Sequence, residues 1–151
     1  MTVTFFGHSM VNHREGVKVW LELVIPELIA QGATVFYSGG YGGFDALVAQ
    51  VLQQEKQRCP HIESVLVLAY LQDHPYAKDY DSTTYPELER VPKRFAILKR
   101  NQWMVGRSDV VVAYVNHGVS NAVKTLEYAK RKKKPVILYP NTTPQPLPSW
   151  V

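Results

Sequence analysis

Hydrophobic and polar residues are arranged in blocks along the chain, and the blocks alternate between two periodicities. Short runs of apolar, β-branched and aromatic residues predict strands at residues 2–6, 34–37, 64–70, 110–115 and 135–139. Between these runs, apolar residues recur every three or four positions, which predicts helices around residues 17–28, 44–52, 93–105 and 120–133. Pro26 falls inside the first helical pattern and is expected to kink or locally break that helix.

Strands that alternate with helices predict a parallel sheet with right-handed crossovers. The expected fold class is therefore α/β, a three-layer sandwich whose mostly parallel sheet has about five strands. Residues 1–140 are predicted to form one domain, and the proline-rich residues 141–151 an extended C-terminal tail. The polar stretch 72–92 is too long for a plain connection, so a functional loop is expected there.

The connection between the second strand and the second helix is rich in glycine and reads VFYSGGYGGFD over residues 35–45. Backbone without side chains at a helix N-terminus can approach an anion and offer it N–H groups. The spacing is neither a Walker loop nor a clean GxGxxG motif. It favours a phosphate-binding loop, with a purely structural turn as the alternative. The candidate residues are Ser38, Gly39, Gly40, Gly42 and Gly43.

Small and polar residues also follow the first and fourth predicted strands. In open parallel sheets, ligands bind beyond the carboxyl ends of the strands, which meet at one edge. The sequence therefore predicts a nucleotide pocket at that edge. Its further candidate residues are Gly7, His8 and Ser9 after the first strand, and Gly118, Ser120, Asn121 and Ala122 after the fourth.

Four residues near this edge have both a structural and a functional interpretation. Asp45 opens a helix, where it can cap free N–H groups or accept hydrogen bonds from a ribose. Arg100, which precedes Asn101, can bind phosphate or lie on the surface paired with an acid. Ser120 can be a helix N-cap or part of a second anion-binding helix start. Glu127 is a candidate acid or base if it is buried.

Composition narrows the class of protein. The chain has 46% hydrophobic and 20% charged residues, which is typical of a globular domain. It has no apolar run of about 20 residues, no signal-peptide pattern and a single cysteine, Cys59, so a cytoplasmic protein without membrane association is expected. His8, His13 and His117 lack the spacing of known metal motifs, so no metal is expected.

The net charge of +4 depends largely on one run of basic residues at 130–134. This run ends the last predicted helix, where cations interact favourably with the helix dipole. A solvated helix end is the favoured interpretation. Binding of nucleic acid through Lys130–Lys134 is the alternative.

Several of these segments together resemble a known superfamily. GHS after the first strand, SGGYGGFD after the second, YPELERVPKRFAILKRNQWMVGRSDVVVAYV at 85–115 and KTLEYAKRKKKPVI at 124–137 are similar to the SLOG superfamily. The similarity covers residues 2–139 and is greatest to the YpsA-like (DUF1273-type) branch of small bacterial proteins, and more distant to the cytokinin-activating phosphoribohydrolases and DprA/Smf. The resemblance implies a Rossmann-like fold, a homodimer, and a nucleotide, ADP-ribose-like or NAD-like ligand. The Gly39–Gly43 loop and the N-terminus of the late helix would hold that ligand.

The chain departs from the family pattern at two places. Family members usually carry paired glycines ahead of the last helix, where this chain has 120–122 (SNA). The phosphoribohydrolases use an arginine, to which Arg100 is similar, and a glutamate in a GGxGTxxE motif, which Thr125 and Glu127 match only in part.

Three functions follow from these observations. A nucleotide-binding protein is the leading hypothesis. An N-glycosidic phosphoribohydrolase that acts on nucleoside monophosphates, with Arg100 and Glu127 as catalytic groups, is the first alternative. A DNA-associated protein is the second.

Overall fold

A computed structural model of the chain describes residues 1–116 and 118–140. The predicted tail and His117 lie outside the described residues. The strands are β1 (Thr2–Gly7), β2 (Val35–Ser38), β3 (Glu63–Val67), β4 (Ser82–Thr84), β5 (Val110–Tyr114) and β6 (Val136–Leu138). The helices are α1 (Arg14–Ala30), α2 (Gly42–Arg58), α3 (Lys93–Gly106) and α4 (Asn121–Arg131), with one 3₁₀ turn at Ala77–Asp79.

The six described strands form one sheet in the order β4-β3-β2-β1-β5-β6, and every neighbouring pair is parallel. The predicted α/β class and parallel sheet are confirmed. The additional strand is β4, within the stretch that was predicted to be a loop. Its three residues, Ser82–Thr84, are all polar and pair with β3 at the edge of the sheet, where no apolar pattern is needed.

The strand order reverses at β1. The chain places β2 and β3 on one side of β1, then crosses to place β5 and β6 on the other. Helices α1 and α2 pack together on one face of the sheet, and α3 and α4 pack on the opposite face. Such a reversal leaves a crevice beyond the carboxyl ends of the two strands that flank it. The fold therefore places an opening beyond β1 and β5.

Strand β1 is buried on both faces and joins the two halves of the core. Val3 and Phe5 pack against α1 and α2, whereas Phe6 packs against α4. Thr4 is also fully buried, and its hydroxyl donates a hydrogen bond to the carbonyl oxygen of Met104 at 3.0 Å. This bond gives a buried polar side chain its partner and ties the centre of the sheet to the end of α3.

Helix α1 continues through Pro26 to Ala30, so the predicted local break is wrong. A proline in a helix leaves the carbonyl four residues earlier without its N–H partner. Here that carbonyl belongs to Glu22, an exposed residue, where water can take the place of the missing donor. The apolar face of the helix (Val17, Leu21, Ile25 and Leu28) is buried in the core and holds the helix together across the proline.

Among residues 1–116 and 118–140, no helix is long and apolar enough to cross a lipid bilayer.

Gly42 tests how tightly the glycine loop packs on the loop after β1. Its φ is +82°, and a Cβ atom there would lie 2.5 Å from the Cα atom of Ser9. We expect Gly42→Ala to lower the free energy of unfolding by about 3 kcal/mol, measured by urea denaturation, because backbone strain and a backbone clash add.

Gly32→Ala is the matched control, since φ is +106° there but no atom lies within 4 Å of the added Cβ. It should cost only the strain, about 1–2 kcal/mol. Equal losses for the two variants would contradict the proposed contact with Ser9.

Candidate functional site

A cavity of about 500 Å³ lies beyond the carboxyl ends of β1 and β5, between the starts of α2 and α4 and one face of α3. We call it the edge cavity. It brings together ten of the residues predicted from the sequence: Gly7, His8, Ser9, Gly39, Asp45, Arg100, Asn101, Ser120, Asn121 and Ala122. Its other walls are apolar or aromatic and consist of Phe5, Phe6, Met10, Tyr41, Ile97 and Met104.

The glycine loop separates the edge cavity from a second cavity of about 380 Å³, which we call the loop cavity. Gly40, Gly42 and Gly43 border the loop cavity, whereas Gly39 borders the edge cavity. The N–H of Gly43 donates to the carbonyl oxygen of Ser9 at 2.6 Å, so this donor is already used within the protein. The loop therefore needs glycine partly for its own packing, and phosphate binding by it stays a prediction.

Gly39 shows the packing requirement most directly. A Cβ atom at this position would lie 2.5 Å from the Cζ atom of Arg100. The missing side chain makes room for the guanidinium group, which lies against the loop backbone. One contact thus explains both a glycine of the glycine-rich segment and the later arginine, and sequence spacing alone does not reveal it.

Arg100 is buried, with 2% of its surface exposed. Its Nη1 donates to the carbonyl oxygens of Gly39 (3.1 Å) and Val67 (3.0 Å), and its Nε donates to Oδ1 of Asn101 (2.8 Å). Burial lowers the pKa of the guanidinium, and the nearby charge of Asp45 opposes that shift. The alternative of a surface arginine paired with an acid is therefore wrong: the side chain joins the ends of β2 and β3 from inside.

Asp45 combines a structural bond with an unused acceptor. Its Oδ2 accepts the N–H of Tyr41 at 2.9 Å, at the start of α2. Its Oδ1 is buried and has no hydrogen-bond partner among the described residues. Only 6% of the residue is exposed, and this burial raises the pKa of Asp45 to about 6, against the opposing effects of the Tyr41 N–H and Arg100. The carboxylate of this cavity-lining residue therefore keeps one acceptor that no described residue uses.

The first turn of α4 faces the edge cavity from the opposite side. Ser120 is the N-cap, and its Oγ accepts the N–H of Val123 at 3.2 Å, as the capping interpretation predicted. Thr125 donates to the carbonyl oxygen of Asn121 at 2.6 Å and accepts from Nδ2 of Asn101 at 3.2 Å. This chain of bonds fixes the start of α4 relative to α3. Asn121 and Ala122, the first two residues of α4, border the cavity.

His8 is held by backbone on two sides. Its N–H donates to the carbonyl oxygen of Tyr114 at 3.1 Å, and its Nε2 accepts the N–H of Asn116 at 3.1 Å. An Nε2 that accepts a hydrogen bond is not available as a metal ligand in this arrangement. Among the residues that the structure describes, no three His, Cys, Asp or Glu side chains form a group that could hold a metal ion.

Besides Gly40, Gly42 and Gly43, three more predicted residues lie away from the edge cavity. Ser38 is buried at the end of β2, where its Oγ accepts the Tyr80 hydroxyl at 3.5 Å. Gly118 is exposed and does not line the cavity. Glu127 is exposed as well, because α4 turns Thr125, Leu126 and Ala129 toward the interior. The structure thus does not bring the catalytic candidates Glu127 and Arg100 together in this cavity.

Asp45→Asn tests the cost of the buried carboxylate. A folded-state pKa near 6, raised from 3.8, means that the folded protein holds this proton more tightly than the unfolded chain does. Stability is therefore lost as pH rises from 3.8 through 6, and the cost is complete above that range. We expect Asp45→Asn to raise the free energy of unfolding at about pH 8 by about 1–3 kcal/mol in urea denaturation, and the gain to shrink as pH falls.

Asp73→Asn, at an exposed carboxylate, is the control and should show no such gain. Unchanged or lower stability of Asp45→Asn at about pH 8 would contradict the account of Asp45.

Comparisons with known proteins bear on the fold. The chain matches no family model and no curated protein. It is similar to DNA processing protein A from Streptococcus pneumoniae, with 19% identity and a TM-score of 0.72 over 95% of this chain and 52% of that protein. It is also similar to DNA processing protein A from Helicobacter pylori, in a structure that concerns single-stranded DNA binding. The identity is 18% and the TM-score is 0.63 over 91% of this chain and 64% of that protein.

The Moco carrier protein from Chlamydomonas reinhardtii is a further structural neighbour, with 16% identity and a TM-score of 0.60 over 95% of this chain and 77% of that protein. The chain spans between half and two thirds of the length of the two DNA processing proteins. At such identities the likeness concerns the fold alone. The chain therefore has the same Rossmann-like α/β fold as these proteins, which is the fold that the resemblance to the SLOG superfamily predicts.

Proposed function

We propose that the chain binds a nucleotide or nucleotide derivative in the edge cavity. The observation that carries this proposal is the unpartnered Oδ1 of Asp45, a buried acceptor beside a cavity at the point where the strand order reverses. A buried polar atom without a partner is rare and costly, and a bound donor would remove that cost. The cavity is also large enough for a small ligand.

The ribose hydroxyls are the donors that fit Asp45. A carboxylate accepts hydrogen bonds only, and Oδ2 is occupied by the N–H of Tyr41, so Oδ1 remains for a hydroxyl. Hydrogen bonds to the charged carboxylate favour ionisation and would offset the burial that raises its pKa.

The phosphate fits the opposite wall, where α4 begins. Asn121 and Ala122 at the start of α4 border the cavity, and a helix N-terminus carries free N–H groups and a partial positive charge. Arg100 adds positive charge from the α3 wall, which lies between the starts of α2 and α4. Its Nη1 and Nε stay bonded to the protein. The proposed phosphate position therefore lies toward α4, with the ribose toward α2.

No observation favours the two alternatives over this proposal. Hydrolysis through Glu127 would need that side chain in the cavity, and it is exposed on the outer side of α4. Binding of DNA through the basic run would use the C-terminal end of α4, at the end of the helix away from the cavity. NAD, ADP-ribose and a homodimer, implied by the resemblance, stay predictions.

Thermal unfolding in the presence of AMP, ADP, ATP, NAD and ADP-ribose tests this proposal. A ligand at about 100 times its Kd stabilises the folded state by about 2.7 kcal/mol, which for a domain of this size raises Tm by about 5–10 °C. We expect such a shift with at least one nucleotide, and we expect Asp45→Asn to reduce it. The single amide oxygen of asparagine is needed by the N–H of Tyr41, so an NH₂ donor replaces the acceptor that the ribose would use.

Glu127→Gln is the control, because it removes a carboxylate outside the cavity, and it should leave the shift unchanged. The shift, rather than Tm itself, is compared, since Asp45→Asn also changes the stability of the free protein. No shift with any nucleotide would overturn the proposal. Binding of single-stranded DNA instead, lost when residues 130–134 are neutralised, would favour the DNA alternative.

A further inference from the structure

A third cavity, of about 440 Å³, adjoins the edge cavity across Tyr41, which borders both. It lies beyond the carboxyl end of β3, between residues 69–72, the segment 85–91 and the start of α3. We call it the tyrosine cavity, because its aromatic walls are Tyr41, Tyr70 and Tyr85. Five of its residues (Gln72, Tyr85, Leu88, Glu89 and Val91) belong to the stretch 72–92, where the sequence predicts a functional loop.

Helix α3 forms a common wall for the two cavities. Lys93 and Ala96 border the tyrosine cavity, whereas Ile97, Arg100 and Met104 border the edge cavity. At 1.5 Å per residue, the face from Ala96 to Met104 is about 12 Å long. The two cavities therefore lie in series along one helix face, and one extended ligand can occupy both.

The two cavities differ in the chemistry of their walls. The edge cavity holds the buried charges, Asp45 and Arg100, and the start of α4. The tyrosine cavity has three aromatic rings, aliphatic neighbours such as Leu88 and Val91, and the polar residues Gln72, Glu89 and Lys93. Aromatic side chains of this kind stack on the flat faces of heterocyclic bases, and the stacking tolerates any base. The tyrosine cavity fits a ring, and the edge cavity fits a sugar and phosphates.

Two of the three tyrosines are held in place by contacts of their own. The hydroxyl of Tyr70 donates to the carbonyl oxygen of Lys93 at 3.0 Å. The backbone of Tyr41 is bonded to Asp45, and its ring centroid lies 5.8 Å from Cζ of Arg100. Tyr85 is half-buried and borders the same cavity. The two tyrosines with such contacts, Tyr41 and Tyr70, are thus positioned before a ligand arrives, which lowers the entropic cost of binding.

We propose that the tyrosine cavity binds the base of the ligand, and that the ligand is a nucleoside diphosphate or a derivative of one. This inference rests on the proposed function of the edge cavity. With the base beyond β3 and the ribose at Asp45 beyond β2, the start of α4 beyond β5 is two strand spacings from the ribose, about 10 Å away. A single 5′-phosphate lies directly beside its sugar, and a second phosphate extends the ligand toward α4.

Isothermal titration calorimetry with ADP, AMP and ribose 5-phosphate tests the inference, since the last of these has no base. We expect the wild-type protein to bind ADP about 10-fold more tightly than AMP. We expect Tyr85→Ala to weaken ADP binding about 10-fold while the affinity for ribose 5-phosphate is unchanged. Tyr85→Phe should retain the wild-type affinity for ADP, because stacking needs the ring and not the hydroxyl.

Tyr76→Ala is the matched control. Tyr76 is an exposed tyrosine of the same polar stretch, 72–92, but it borders the loop cavity and not the tyrosine cavity. It should leave ADP binding unchanged. If Tyr85→Ala does not fold, Tyr85→Leu replaces it, because leucine keeps apolar volume without a ring. Tyr85→Leu should also lower the affinity for ADP.

The outcomes separate this inference from the proposed function. Equal loss of ADP and ribose 5-phosphate affinity, or no loss of either, would overturn the base position in the tyrosine cavity. Equal affinities of the wild type for ADP and AMP would overturn the diphosphate assignment. Absence of binding of all three compounds to the wild type would overturn this inference, and it would overturn the proposed function as well if no nucleotide raised Tm in the thermal unfolding experiment.

Discussion

The hydrogen bonds of the buried Arg100 guanidinium determine the geometry of the sheet edge at which the strands have their carboxyl ends. It donates to the carbonyl oxygens of Gly39 and Val67, so a side chain of α3 joins the ends of two adjacent strands. Its bond to Asn101 continues through Thr125 to the start of α4. The loop after β2 must carry a glycine at 39 to admit the guanidinium. Because Nη1 and Nε of Arg100 have acceptors, the cost of burying its positive charge is offset in part by these hydrogen bonds and by the nearby Asp45.

Asp45 differs from Arg100, because hydrogen bonding within the protein offsets the cost of its burial at only one of its two carboxylate oxygens. One oxygen accepts a backbone N–H, and the other has no partner among the described residues. The raised pKa expresses the cost of that arrangement in the free protein. Functional sites commonly accept such a cost, because groups prepared for a ligand are unsatisfied until it binds. The contrast between Arg100, whose Nη1 and Nε donate to protein acceptors, and Asp45, whose Oδ1 has no partner among the described residues, indicates that Arg100 organises the site and that Asp45 is an open acceptor.

The fold class and the position of the cavity could be predicted because both depend on patterns in the sequence. Alternating strand and helix periodicities indicate a parallel sheet, and polar residues after successive strands meet at one edge. Strand β4 has no apolar residues, so no periodicity reveals it. The helix through Pro26 depends on buried tertiary packing, which overrides a local preference. The burial of Arg100 and the exposure of Glu127 depend on the rotation of α3 and α4 against the sheet, which composition does not encode. The tyrosine cavity joins three segments distant in sequence, so only the folded chain reveals it.

The central claim is that Asp45 is the acceptor for a nucleotide ribose in the edge cavity. The most direct measurement is an NMR titration of the Asp45 side-chain carboxyl carbon, with and without saturating ADP. The account predicts a pKa of about 6 in the free protein and a clear decrease when ADP is bound, because ribose hydroxyls donate to the charged form. A pKa that is the same with and without bound ADP would contradict the claim, since the ligand would then make no hydrogen bond to this carboxylate.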